Sequence, residues 1–146
     1  MSNGSDGSDG AKVPAGFFRR LGAMVYDGLL ITAVLISTIT LLVVLTNTPV
    51  AGPNVLGLLL LESFAFCAYF WIFRGQTLGM LAWGLTIQST SGYRLTVSQA
   101  MLRYFAGILS LVAFGIGYLW IFFDPARRSW TDMISDSVIL YEPRKK

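Results

Sequence analysis

The sequence predicts an all-α integral membrane protein with about three hydrophobic membrane segments and a small cytoplasmic β-hairpin. Hydrophobic residues make up 54% of the 146 residues, and charged residues make up only 13%. A soluble domain carries about 25% charged residues. With half that share, a soluble fold would expose too much apolar surface to water, so lipid is the expected solvent. Long charge-free stretches predict the helices, and a short alternating stretch predicts the hairpin.

The first residues are rich in glycine, serine and aspartate and read MSNGSDGSDGAKVP. Such a stretch has nothing to bury, so residues 1–15 are expected to be a disordered tail. The first apolar stretch begins only after Arg19 and Arg20 and is too long for a signal peptide, so we expect the helix to be retained. Residues 16–141 are then the membrane domain, and residues 142–146 are a basic tail.

Two membrane helices are predicted in the charge-poor first half of the chain. The stretch NTPVAGPN, residues 47–54, interrupts it with two prolines and a glycine. The first helix is expected over Leu21–Leu45, about 37 Å at 1.5 Å per residue, which is enough to cross a hydrocarbon core of about 30 Å. The second is expected over Val55–Phe73.

A third membrane segment is predicted over Tyr104–Phe123, which contains no charged residue. Arg103 and Asp124 bracket it and are expected to anchor it at the membrane interface. Lysines and arginines precede the first helix, follow the second and recur in the C-terminal tail, and the positive-inside rule places all three regions in the cytoplasm. Three full crossings would put the tail outside. We therefore favour a third segment that bends back as a re-entrant hairpin near Gly107, Gly115 or Gly117.

A β-hairpin is predicted outside the membrane, between the second and third segments. Apolar and polar residues alternate over residues 85–88 and again over residues 93–96, with a Ser-Gly turn between them. Val138–Tyr141 is a further short β-like run that could pair with this hairpin. Thr96 and Gln99 have the spacing of a capping box, which predicts a helix start there.

Three charged residues stand out because a charge inside a membrane is costly. Asp27 lies about six residues into the first helix, and Arg20 lies two turns earlier on the same face. Asp27 is a candidate cation or proton site, or else the pair is a buried staple for a neighbouring helix. Glu62 lies deeper in the second helix and could share a cavity and a proton with Asp27, or could be neutral and bonded to a nearby hydroxyl.

Several classes of function lose support from the composition. The chain has no histidine and one cysteine, Cys67, so we expect no metal site, no cofactor and no catalytic residues, and hence no enzyme. The net charge of +3 comes from residues scattered between apolar stretches, so no nucleic-acid partner is expected. The expected partners are the lipid bilayer, a cation or proton, and further copies of the chain, because so few segments seldom suffice for alternating access.

Three motifs in the sequence resemble the RDD family of small bacterial membrane proteins over roughly residues 16–141. They are FFRRLGAMVYDGLL, GQTLG with the following AMLRY, and DPARRSWTDMISDSVIL. The arginine and two aspartates that name the family match Arg20, Asp27 and Asp132. The sequence departs from the family at Thr131, where histidine is common, and at Met80, where lysine is common.

The resemblance implies a multi-pass protein of the bacterial inner membrane. It implies transport of a small ligand, including cation/proton exchange, with Arg20, Asp27, Asp132 and Glu62 as candidate ligand or ion-binding residues. A cluster of Arg20, Asp27 and Asp132 would require the C-terminal motif to lie on the same side as the start of the first helix. The alternative function is a non-transporting interaction or accessory module in which the Arg/Asp cluster is structural.

Overall fold

A computed structural model describes residues 12–143, which form six α-helices and three short strands. The helices are α1 (Phe17–Thr46), α2 (Pro53–Tyr69), α3 (Leu78–Ala82), α4 (Val97–Val112), α5 (Ile116–Leu119) and α6 (Trp130–Ile134). The strands are β1 (Val13–Pro14), β2 (Leu85–Ser89) and β3 (Ser137–Tyr141). A π-helical turn, Phe70–Arg74, extends α2, and a 3-10 turn, Trp120–Phe122, extends α5.

Helices α1 and α2 confirm the two long apolar helices predicted from the sequence. Their most apolar windows have mean hydropathies of 2.6 and 2.0, and both helices are long and apolar enough to cross a membrane. The break between them lies where the sequence predicts it. Asn47 ends α1 in the left-handed conformation, and Pro53 opens α2 at a position where its missing N–H has no helical partner to lose.

The third apolar segment is bent by 107° between α4 and the α5 segment, which confirms the expected bend and places it at Gly115, one of the three glycines considered. Gly115 has a φ of +79°, a conformation that side chains disfavour. Beyond the bend the chain packs back against α4, and a Cβ atom on Gly117 would lie 2.1 Å from Ser110 Oγ. The segment ends beside the start of α1, where the Phe122 and Phe17 rings are 4.9 Å apart.

The strands form one antiparallel sheet in the order β1-β3-β2. Strand β3 pairs with β2 from Leu85↔Tyr141 to Ser89↔Ser137, and with β1 through Val13↔Tyr141 and Pro14↔Leu140. The predicted pairing of the C-terminal β-like run with residues 85–88 is thus confirmed. The predicted hairpin is wrong, because residues 93–96 form no strand. Leu95 is instead buried in the core under the sheet.

Part of the predicted N-terminal tail is ordered in the structure. Val13 and Pro14 belong to β1 and Ala15 is fully buried, so the expectation of a disordered tail is wrong for residues 12–15. Pairing with β3 provides the partner that this stretch lacks in isolation. Residues 1–11 and 144–146, which hold the rest of the two predicted tails, lie outside the described residues.

The sheet gathers one end of several helices. Strand β1 leads directly into α1, β2 connects α3 to α4, and β3 follows α6. Because β3 pairs with both other strands, the start of α1, the start of α4 and the end of the described chain lie together. The polar residues near these helix starts therefore meet beside the sheet.

Candidate functional site

A buried charge network centres on Asp132, whose side chain is 1% exposed. Its Oδ1 accepts a hydrogen bond of 2.7 Å from Arg103 Nη1. Its Oδ2 accepts from Arg20 Nη1 and, at 3.3 Å, from the backbone N–H of Ser129. The two arginines are 9% and 6% exposed at their side chains, so one carboxylate joins two guanidinium groups away from solvent.

Local sequence explains how each element presents its side chain. Ser129 is the N-cap of α6 and Asp132 is the third residue of the helix, so the carboxylate is held at the helix start. Arg20 lies in the first turn of α1 and Arg103 in the second turn of α4. Both helices begin beside the sheet, which brings their arginines to α6.

Arg20 is bonded on every nitrogen. Its Nε donates to the carbonyl of Ala15 at 3.1 Å, and its Nη2 donates to the carbonyls of Arg127 and Ile139 at 3.3 and 3.4 Å. These acceptors lie before α1, before α6 and in β3. Arg20 therefore links both ends of the described chain, in addition to its ion pair with Asp132.

The network holds Asp132 in its charged form. Burial on its own raises the pKa of this carboxyl, but the charges and hydrogen bonds of Arg103 and Arg20 outweigh that effect and leave the pKa below its ordinary value. With Asp132 ionised, the two guanidinium groups and one carboxylate carry a net charge of +1. One positive charge is thus in excess at this end of the fold.

Asp27 makes a separate set of contacts on α1. Its Oδ1 accepts a 2.8 Å hydrogen bond from the N–H of Gly79, and its Oδ2 accepts from the hydroxyl of Thr77. Thr77 is also the N-cap of α3. A Cβ atom on Gly79 would lie 2.2 Å from the Ala23 carbonyl oxygen, so the GQTLG motif needs glycine to reach Asp27.

The expected cluster of Arg20, Asp27 and Asp132 is only partly formed. Arg20 and Asp132 are bonded to each other, whereas the hydrogen bonds of Asp27 go to α3. The seven-residue spacing places Arg20 and Asp27 on one face of α1, but about 10 Å apart along the axis. Different elements fill that distance, so each aspartate has its own partners.

Glu62 lies between α1 and α2, where it accepts a hydrogen bond of 2.7 Å from the hydroxyl of Thr38. Its other oxygen, Oε2, is buried and has no hydrogen-bond partner among residues 12–143. Of the two alternatives for Glu62, the structure favours a bond to a nearby hydroxyl over a cavity shared with Asp27, because Glu62 bonds Thr38 and does not line the cavity beside Asp27. Its side chain points to the α1–α2 contact.

A cavity of about 250 Å³ adjoins the charge network and lies between α1, α2 and α4. Arg20, Arg103 and Ser129 line its end near the sheet, and Asp27 and Thr77 line one wall. The remaining lining is mainly apolar and includes Met24, Ile31, Trp71, Ile108 and Leu111. Ile31 is eleven residues beyond Arg20, about 16 Å along α1, so the cavity changes from polar to apolar along its length.

Arg103 is the site residue that the sequence reading missed. We expected it to be an interfacial anchor together with Asp124, but it is buried on Asp132 and lies 5.5 Å from the centre of the Trp71 ring. A signal was present in α4, where small residues at helical spacing flank Arg103 at Ala100, Ala106 and Ser110 and are buried. Such a face predicts close packing, which puts the arginine between elements.

Asp124 is bonded to Arg128 near the surface, with Nε of Arg128 3.0 Å from Oδ2. The side-chain and backbone hydrogen bonds from Arg128 lower the pKa of Asp124. In the described part of the chain, no group of three or more histidine, cysteine, aspartate or glutamate residues could hold a metal ion.

The fold and site define a class of protein. Long apolar helices with exposed apolar faces, over a small sheet and a buried arginine–aspartate network, point to a membrane location. The sequence matches the family model described as RDD family over residues 14–136, and the chain belongs to that family. No curated protein and no solved structure matches it.

Proposed function

We propose that this protein transports a small ligand and that the cavity between α1, α2 and α4 is its binding site. The observation that carries the proposal is a cavity of about 250 Å³ that runs from two buried arginines to an apolar end. Concave sites with an apolar lining and a few convergent polar groups are typical of ligand binding. Charged groups inside apolar helices also favour a functional role.

Within this proposal, Asp27 is the residue that responds to ligand or proton occupancy. It lies on the cavity wall and bridges α1 to α3 through Thr77 and Gly79. Neutralising or engaging its carboxylate would change how strongly it accepts those two hydrogen bonds, and so bias the packing of α3 on α1. Cation/proton exchange is the simplest form of this coupling.

The test is ion and proton flux in proteoliposomes that contain the purified full-length protein. Gradients of Na⁺, K⁺ and Li⁺ are scanned for wild type, for Asp27→Asn and for Asp136→Asn. The last variant makes the same substitution at an exposed aspartate. Transport predicts cation-dependent proton flux in wild type and in Asp136→Asn, with flux lost in a folded Asp27→Asn protein. Silence in folded wild type with all three cations would reject cation/proton exchange.

The second candidate function is an interaction or accessory module without transport. The observation that favours it is that both oxygens of Asp27 and of Asp132 already accept hydrogen bonds within the chain. A staple of this kind predicts that Asp27→Asn loses helix packing and expression before any flux is affected. Thermal stability of the same three purified proteins separates this outcome from the transport outcome.

We propose a multi-pass location in the bacterial inner membrane, with both ends of the chain in the cytoplasm. The clustering of lysine and arginine at both ends supports it. We also propose a homo-oligomer, because two or three spans seldom enclose a pathway alone and many large apolar side chains of α1 are exposed. Mass measurement in nanodiscs tests the oligomer. The proposal includes no catalytic step and no cofactor.

A further inference from the structure

Arg103 has donors that the protein does not use. Both hydrogen bonds that it makes within residues 12–143 come from Nη1, one to Asp132 and one of 2.8 Å to Ser137 Oγ. Its Nε and Nη2 therefore keep three N–H groups. The residue is 6% exposed overall and lines the cavity. A guanidinium that is more than nine-tenths buried with unused donors beside a cavity is suited to bind an acceptor there.

Trp71 supplies a second unused donor on the same wall. Its indole Nε1 is buried and has no hydrogen-bond partner among the described residues. The indole also lines the cavity, and the Arg103 guanidinium carbon lies 5.5 Å from its ring centre. An unpaired buried N–H is costly, and a hydrogen bond to a ligand oxygen would remove that cost. The side chains of Arg103 and Trp71 thus offer hydrogen-bond donors and no acceptors to a ligand in the cavity.

The charges near these donors favour an anion. Arg20, Arg103 and Asp132 carry a net charge of +1 at the polar end of the cavity. Asp27 is the nearest carboxylate on the wall, and both of its oxygens accept hydrogen bonds from Thr77 and Gly79 at the start of α3. Arg20 uses four of its five N–H groups within the chain, whereas Arg103 keeps three, so Arg103 is the better placed arginine for a ligand.

The other end of the cavity favours a hydrocarbon chain. Ile31 on α1 and Ile108 and Leu111 on α4 line it. Leu111 is also 65% exposed at the protein surface. The volume of about 250 Å³ is below the range of roughly 300–1,000 Å³ that holds drug-sized ligands. One short chain fits such a space better than the two chains of a phospholipid.

We propose that the cavity binds a single-chain anionic amphiphile. A carboxylate or phosphate accepts hydrogen bonds from Arg103 and from the indole of Trp71, and the chain lies along Ile108 and Leu111. The inference names the ligand class of the proposed transport site. Only the statement that this ligand is transported rests on the proposed function. Binding itself is independent of movement across the membrane.

The test is equilibrium binding of radiolabelled decanoate to the purified full-length protein in detergent, by scintillation proximity. Competitors share the ten-carbon chain and differ in the head: decanoate, decyl phosphate, decanol and decyltrimethylammonium. We expect both anions to compete and the alcohol and the cation to be at least tenfold weaker. The stronger of the two anions identifies a carboxylate or a phosphate as the preferred head. Equal competition by decanol would overturn the inference.

Two adjacent positions on α4 provide a matched pair of variants. Ile108 lines the cavity, whereas Leu109 is 54% exposed and does not. Ile108→Trp should fill the cavity and reduce decanoate affinity at least tenfold, and Leu109→Trp should leave it unchanged. Trp71→Phe, which keeps a ring and removes the N–H, should weaken binding several-fold. Equal affinities of the two α4 variants would place binding outside the cavity and overturn the inference.

Binding and flux separate this inference from the proposed function. Head-selective decanoate binding that is lost in Ile108→Trp supports the inference even if proteoliposomes show no flux, and only transport then fails. Cation-dependent flux without decanoate binding supports transport and overturns the inference.

Discussion

At the scale of single residues, the strongest constraint is the burial of Arg20, Arg103 and Asp132. Removing charges from water is costly, and mutual attraction repays the cost only when the geometry is good and the remaining donors are satisfied. Asp132 meets that condition with hydrogen bonds to both arginines and to Ser129. Arg103 meets it only in part, because its Nε and Nη2 have no hydrogen-bond partner within residues 12–143. The network is therefore sensitive to loss of its one carboxylate.

Asp132→Asn should destabilise the protein by about 3–5 kcal/mol, because it leaves two buried guanidinium groups without a counter-charge. The measurement is the free energy of unfolding, or the thermal midpoint, of purified protein in one detergent. Asp136→Asn is the control, since Asp136 is exposed and only four residues away. Similar stability of the two variants would contradict a structural role of the ion pairs.

The acid dependence of stability should also trace to Asp132. Its pKa in the folded protein lies below the ordinary value of 3.8, so its contribution is present above about pH 4 and is lost as the pH falls through the folded value. Thermal midpoints measured between pH 7 and pH 3 should fall more steeply for wild type than for Asp132→Asn. Asp136→Asn should follow wild type, because Asp136 is exposed and its side chain forms no ion pair among the described residues. Parallel curves for wild type and Asp132→Asn would contradict this assignment.

At the scale of elements, the short helix α3 depends on contacts with α1. Five residues are too few to form a stable helix alone. Thr77 caps α3 by accepting from the N–H of Met80 at 3.2 Å, and Asp27 holds the same end of the helix. Gly79 then sits against the backbone of α1 at Ala23. The GQTLG motif is thus a docking segment for the first aspartate of the family.

Gly79→Ala should destabilise this contact by about 1–3 kcal/mol, because its methyl group would overlap the Ala23 carbonyl and Asp27 Cγ. Gly57→Ala in α2 is the matched control, since nothing lies within 4 Å of a Cβ atom there. That control should be neutral or more stable by about 0.5–1 kcal/mol. Unfolding curves of the two proteins provide the comparison, and equal stability would show that α3 does not dock as closely as described.

At the scale of the whole molecule, the sheet determines the relative positions of the chain ends. Strands β1 and β3 are neighbours, and Lys12 Nζ lies 3.9 Å from Glu142 Oε2. In the proposed topology, two membrane-crossing helices followed by a segment that bends back would keep the two ends together, whereas three straight crossings would separate them. A third segment that bends back would therefore account both for the positive charges at the two ends of the chain and for the pairing of β1 with β3.

Cysteine labelling should place Lys12 and Glu142 on one side of the membrane and Thr48 on the other. Each of the three exposed positions is changed singly to cysteine in a Cys67→Ser background. An impermeant maleimide added to spheroplasts should react with Thr48→Cys alone, and with Lys12→Cys and Glu142→Cys only after permeabilisation. Labelling of Lys12→Cys and Glu142→Cys from opposite sides would contradict the described sheet.

The sequence by itself determined the apolar helices, the break at residues 47–54, the capping box at Thr96 and a bend at one of three glycines, Gly107, Gly115 or Gly117. These features depend on local properties: a run of apolar residues, prolines at a loop, or a glycine that tolerates a positive φ. Local patterns report them because the interactions involved span only a few residues.

Only the tertiary structure decided which polar groups meet. Arg20 and Asp132 are 112 residues apart, and Asp27 and Gly79 are 52 apart. The family resemblance implied that Arg20 and Asp132 lie together, but it also included Asp27, which binds α3 instead. Arg103 looked like an interfacial anchor because no short-range pattern names its partner. Long-range pairing depends on how elements stack, and that is a property of the whole fold.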